Sequence, residues 1–125
     1  MKVILSIKPE FASKIFNGSK KFEFRRKLYK NKEVSTVIVY ASAPISKIIG
    51  EFEIDNIIHD ELDSLWKTTN KHSGISQEYY FDYFKGAEKG YAIAVKKAEL
   101  YDEPICIKET YGMNPPQSFA YVQTC

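Results

Sequence analysis

Gly18-Ser19-Lys20-Lys21-Phe22-Glu23-Phe24-Arg25 is the stretch on which the reading of this chain turns. Its first residue ends a helix, and its last four alternate. Successive strand side chains point to opposite faces, so Phe22 and Phe24 fall on one face and Glu23 and Arg25 on the other. One face reads as core; the other displays a carboxylate beside a guanidinium. Lys20, just past the turn, is freer than a mid-strand residue and leans over the rim. An arginine held by a neighbouring carboxylate keeps its planar fork oriented, which suits phosphate or base-edge recognition. The purely structural alternative is an exposed ion pair, worth roughly 0–1 kcal/mol.

Upstream, Val3 to Ile7 is a short apolar run that reads as a strand. Pro9 and Glu10 suit the first turn of a helix over 9–17. Proline's missing N–H would have no partner there, and the glutamate meets the positive end of the dipole. Phe11, Ile15 and Phe16 form its buried face, and Asn17-Gly18 stops it. Downstream, Tyr29 to Ser35 is a basic loop. Thr36 to Ser42 is apolar almost throughout and reads as a central strand. Ser46 to Ile58 holds another strand, with Gly50 as a possible bulge.

Two helices follow. Asp60 is the expected N-cap of the first, whose Leu62, Leu65 and Trp66 make a buried stripe. Asn70 to Gly74 is a linker. Ser76 caps the second, over 77–85, with Ile75 and Tyr80 as a hydrophobic staple and Gly86 closing it. Gly90 to Leu100 returns to strand, and Pro104 to Ile107 and Ser118 to Val122 are short strand candidates. The order predicts an α+β fold, mostly β: a compact β-barrel of about six short strands with three short helices. A length of 125 residues predicts one domain, 1–125.

Apolar residues make up 44% of the chain, with nine Tyr, eight Phe and one Trp, which excludes disorder. A net charge of +2 hides an uneven distribution. Residues 1–50 hold eleven Lys/Arg against three Glu, whereas residues 51–125 hold seven against thirteen Asp/Glu. Seven of the cations lie between 20 and 32, with a single acid among them. That patch predicts an anionic partner.

Cys106 and Cys125 lack metal or disulfide spacing; they read as a small buried residue and a frayed terminal thiol. His59 and His72 read as surface or capping residues, so no metal and no cofactor is expected. No serine sits in a Gly-x-Ser-x-Gly setting. No apolar run approaches the roughly 18 residues of a membrane span, and the N-terminus lacks the pattern of a signal peptide. The expectation is a soluble cytoplasmic protein that engages no membrane.

Gly18, Lys20, Glu23 and Arg25 match Gly-x-Lys-x-x-Glu-x-Arg, and with this pattern the chain resembles the ASCH domain family, a branch of the PUA-like superfamily. Lys8-Pro9 after the first strand, Tyr40-Ala41-Ser42 and Pro115-Pro116-Gln117-Ser118-Phe119 agree with the small stand-alone type known from archaea and bacteria. The resemblance implies a barrel with a cleft into which the motif projects, and an RNA- or nucleotide-binding role, often linked to regulation of transcription or translation.

The leading reading is therefore an RNA- or nucleotide-binding module. Its expected contacts are Lys8, Gly18, Lys20, Glu23, Arg25, Arg26 and Tyr29, with cations tracking phosphates and Tyr29 as the favoured stacking ring. Tyr79 and Tyr83 read as packing or solvent-facing before cleft-facing. The helix N-terminus beside Lys8 is a candidate phosphate cradle.

The alternative is a hydrolase acting on a modified nucleoside or RNA through Lys20 and Glu23. One ASCH-like branch resembles acetylcytidine amidohydrolases, in which the motif lysine works with a threonine and a distal glutamate. Lys20 matches that lysine, while Glu23 stands where that branch has threonine. A ribonuclease is the other form of this alternative. Lysine beside a carboxylate can do acid–base work if burial brings its pKa toward neutrality. A third reading makes the acidic half a docking face for a protein partner.

Overall fold

In a computed structural model, which describes residues 1–123, the chain builds one six-stranded sheet and four short α-helices. In chain order these are β1 (Lys2–Ile7), α1 (Pro9–Asn17), β2 (Phe22–Arg25), β3 (Thr36–Ala41) and β4 (Lys47–Glu61). Then come α2 (Leu62–Thr69), a 3-10 turn at Asn70–His72, α3 (Gln77–Tyr83), β5 (Lys89–Ile105), α4 (Ile107–Tyr111) and β6 (Phe119–Val122). Cys125 lies outside the described residues.

The α+β, mostly β reading holds, but the barrel does not close. Strand order is β2-β5-β4-β3-β1-β6, and the edges β2 and β6 are not laddered to each other. Both have only four residues, and the chain leaves β2 into the basic loop before a further ladder can form. Side chains bridge the seam instead. Arg25 on β2 donates to the Ser6 carbonyl on β1, and the Tyr121 hydroxyl on β6 accepts from the backbone N–H groups of Lys30 and Asn31. Curvature comes from β4 and β5, paired from Glu61↔Lys89 to Ile48↔Ile105 with three register shifts, one of them at Gly50.

β1 and β3 run parallel and read as continuous apolar runs because both of their faces are covered. Val3, Leu5, Val37, Val39 and Phe52 pack with Ile15 of α1 and Ile93 of β5. Ile4, Ile38 and Ile48 pack on the other side with Ile107 and Val122. A third cluster of Phe24, Leu65, Tyr80, Phe84 and Ala92 seats α2 and α3 against the β2–β5 edge. Phe24 therefore belongs to the core, while Glu23 and Arg25 face the opposite side of β2.

α1 spans the predicted 9–17, and Gly18 closes it in the left-handed conformation (φ 87°) that a Cβ disfavours. Ser76 caps α3 by accepting the Tyr79 N–H. Asp60 is not the cap of α2. The β4–β5 ladder holds it in strand opposite Gly90, and Glu61 occupies the N-cap position without a capping side chain. α3 ends at Tyr83, two residues early, because the buried Phe84 turns the chain inward before Gly86. Residues 107–111 form a fourth helix where only strand and loop were anticipated. Cys106, at its N-cap position, is half-buried rather than fully buried.

Candidate functional site

The open seam of the sheet holds a cavity of about 160 Å³. The end of β1 supplies Ser6, Ile7 and Lys8; α1 supplies Phe11; β2 and the turn before it supply Lys20, Glu23, Phe24 and Arg25; Ile75, Tyr79 and Tyr83 close it. Lys20, Glu23 and Arg25 thus come together in one cavity with Lys8. That volume matches the roughly 150 Å³ known to hold a benzene ring. It fits one planar ring, not a strand.

Lys20 does not reach over the rim; it is inside. It is only 2% exposed, and its Nζ lies 4.9 Å from the Phe24 ring centroid and 5.3 Å from that of Phe11. Among the described residues the sole hydrogen bond of its side-chain amine is donated to the Ser73 carbonyl, at 2.7 Å. Burial is the main cause that pulls its pKa down from 10.5 to about 8; Glu23 pushes back, and Lys14 adds to the depression.

The route of this side chain depends on the segment read as a linker. Gly74 (φ 70°) lies against the Lys20 stem so closely that a Cβ there would stand 2.5 Å from the Lys20 Cβ. Lys14 donates to the Gly74 carbonyl, and Lys21 N–H to the His72 carbonyl. The 72–74 turn therefore forms a lid on Lys20. Only the glycine and its neighbouring serine hinted at that in the sequence.

Glu23 and Arg25 form a nearly buried pair, with side chains 9% and 12% exposed and Arg25 Nε 3.2 Å from Glu23 Oε2. The approach lacks hydrogen-bond alignment, so the buried Nε is left unsatisfied. Such a group typically costs about 1–3 kcal/mol. Arg25 Nη2 is better placed, 2.9 Å from the Ser6 carbonyl. No hydrogen bond from the described residues reaches the Glu23 carboxylate. The pair therefore keeps donor and acceptor capacity toward the cavity.

The remaining predicted residues divide. Lys8 lines the mouth, donates to the Tyr79 hydroxyl at 3.2 Å and lies 5.4 Å from that ring's centroid. Gly18 shapes the turn without lining the cavity. Arg26 is turned outward and donates to the Tyr83 and Lys85 carbonyls, tying β2 to the end of α3. Tyr29 is 5% exposed and its ring is wedged against Phe119 and Tyr121, so neither face is open for stacking. Its place at the mouth is taken by Tyr79 and Tyr83, whose rings lie near parallel, 9° apart at 6.5 Å. Their i,i+4 spacing on α3 was the available signal. The Tyr83 hydroxyl donates to the Phe24 carbonyl, and burial pushes its pKa up. Among the described residues no group of three or more His, Cys, Asp or Glu could hold a metal ion.

Residues 5–102 match the model of the ASCH domain. The chain belongs to the ASCH domain family. Among curated proteins it is similar to an ASCH domain-containing ribonuclease of Zymomonas mobilis subsp. mobilis, at 28% identity over 124 residues covering 96% of this chain and 83% of that protein. It is also similar to the large ribosomal subunit protein uL22 of Ureaplasma parvum, at 29% over 121 residues. That match takes in 97% of this chain but only 39% of the ribosomal protein. The crystal structure of ASCH from Zymomonas mobilis superposes with a TM-score of 0.90 at 30% identity, over 98% of this chain and 87% of that one. The family resemblance carried by the motif is thus shown, and with it the α+β fold, with an open sheet in place of the implied barrel. Among the described residues no helix is long and apolar enough to cross a membrane.

Proposed function

We propose that this ASCH domain binds single-stranded RNA at the seam cavity and cleaves it, with Lys20 as general base. The observation that carries the reading is a buried lysine with a pKa near 8, set beside a carboxylate in a cavity sized for one ring. At pH 7 about a tenth of such a lysine is neutral, the range in which an amine accepts a proton efficiently. The ribonuclease named among its relatives favours cleavage over binding alone.

In this reading one unstacked base enters the cavity alongside Tyr79 and Phe11, whose rings meet edge to face at its wall. Neutral Lys20 keeps its hydrogen bond to Ser73 and removes the proton of the adjacent ribose 2′-hydroxyl. The 2′-oxygen attacks phosphorus, the bond to the 5′-oxygen breaks, and solvent protonates the leaving oxygen. The products are a 2′,3′-cyclic phosphate and a 5′-hydroxyl. Arg25 and Lys8 offset the charge that grows on the phosphate, and Glu23 holds Arg25 in register. Regulation of transcription or translation then follows as a consequence of altering RNA.

The test is cleavage of a labelled single-stranded RNA panel by the native protein and by Lys20→Met, which fills the same buried channel. Native turnover should rise with pH to a plateau above about pH 8, because the neutral amine is the active form. Lys20→Met should lose about 10²–10⁴-fold. Cleavage that survives intact in Lys20→Met rules out the assigned role of this lysine. Absence of both cleavage and binding at low salt rules out the function.

A further inference from the structure

The exposed aromatic residues cluster at the other side of the same seam. Phe119 and Tyr121 on edge strand β6 are 40% and 37% exposed, with ring centroids 5.4 Å apart. Both lie on the β6 face that continues Val3 and Leu5, and so on the side of the sheet that carries the cavity. Large exposed aromatics beside a β edge normally invite aggregation, and a protein retains them where they are used.

Their setting says for what. The Tyr29 ring packs edge-on beneath both, 6.2 Å from each, and holds them up. The Tyr121 hydroxyl pins the basic loop by accepting from Lys30 N–H and Asn31 N–H, both at 2.9 Å. Arg26, Lys27, Lys30 and Lys32 on that loop are all exposed. The patch is continuous with the cavity. Ser6, a cavity wall residue, donates its backbone N–H to the Ser118 carbonyl and its hydroxyl to the Pro116 carbonyl. Ser118 precedes Phe119, so a single residue separates the cavity wall from the exposed ring.

We propose that Phe119, flanked by Tyr121 and the 26–32 loop, is a second subsite on which the RNA strand leaving the cavity stacks a base, while Lys27 and Lys30 hold its phosphates. Aromatic faces beside a basic track are what a single strand requires, and every base offers a π-face, so this subsite reads strand character rather than sequence. The proposal rests on the RNA reading of the cavity and extends it from one nucleotide to a strand.

The test compares a 2′-O-methyl oligouridylate of about eight nucleotides, which has no 2′-hydroxyl to attack, with the corresponding dinucleotide. For the native protein the longer strand should bind more tightly. Phe119→Ala should shrink that advantage about tenfold, and Phe119→Trp should restore it. An undiminished advantage in a folded Phe119→Ala, checked by its melting temperature, overturns the subsite. If Lys20→Met still loses cleavage in that case, the cavity reading stands alone; if neither variant changes binding or turnover, both fall. Light scattering decides against a protein occupant: a native dimer that Phe119→Ala dissociates makes the patch a self-association face and overturns the proposal.

Discussion

Among the described residues two carboxylates sit beside cations, and they differ in how completely they are satisfied. Glu51 on β4 accepts from Lys2 at 3.2 Å through both oxygens, and from the Tyr101 hydroxyl at 2.6 Å. Its side chain is 25% exposed and that of Lys2 29%, so water completes the shell. Glu23 lies deeper, meets Arg25 out of alignment, and leaves Arg25 Nε without a partner. Lys20 beside it places one hydrogen bond and otherwise faces two aromatic rings. Buried polar groups in folded proteins are almost always paired, so a cluster that is not is a place where stability has been given up. The Glu51 cluster joins strands. The Glu23 cluster is, in the function proposed above, the one that receives a ligand.

The contrast is sharpest in stability. Lys20 has a pKa of about 8 when folded against an ordinary 10.5, so the unfolded chain binds more protons between those values. Stability therefore rises as pH climbs from about 8 to 10.5, and below 8 the full penalty is present. That penalty is on the order of 3 kcal/mol at neutral pH. Lys20→Met should raise the midpoint of urea unfolding at pH 7, with a gain that fades above pH 10. Loss of function with a gain in stability is the signature of a site residue. A Lys20→Met protein that is less stable than native at pH 7 would place Lys20 among the structural residues with Lys2.

Glu23 supplies a smaller, directional test. Its charge opposes the burial that depresses the Lys20 pKa. Glu23→Gln should move the midpoint of the pH–rate profile to lower pH, while Glu51→Gln should leave it in place. A profile unmoved by Glu23→Gln would mean that Lys20 is not the group that titrates in the rate.

How much of this was legible in the sequence follows from which interactions are local. The span of α1, its Gly18 cap, the alternation of β2 and the Ser76 cap are encoded within a few residues, and all were readable. The motif named the three residues that meet in the cavity. What stayed hidden was long-range. The burial of Lys20 depends on a turn more than fifty positions away, at Ser73 and Gly74. Tyr29 looked like a stacking ring from its basic neighbours, but β6, ninety residues on, brings Phe119 and Tyr121 over it. Closure failed for the same kind of reason: strand count and the shortness of the edge strands were visible, while whether β2 and β6 pair across the seam was not.

The smallest expected effect is at the satisfied cluster, and it makes the comparison quantitative. Lys2→Met removes a part-exposed cation from Glu51 but leaves the Tyr101 hydroxyl donating to it. A pair of that exposure contributes about 0–1 kcal/mol, since solvent screens it in the folded state and solvates both partners in the unfolded one. Chemical denaturation should therefore show a loss below about 1 kcal/mol, which shrinks further in high salt, with RNA cleavage unchanged. A loss of several kcal/mol would show that Glu51, like Glu23, is desolvated in the folded protein. The distinction between a cluster that ties strands and one that awaits a ligand would then have to rest on hydrogen-bond alignment rather than on burial.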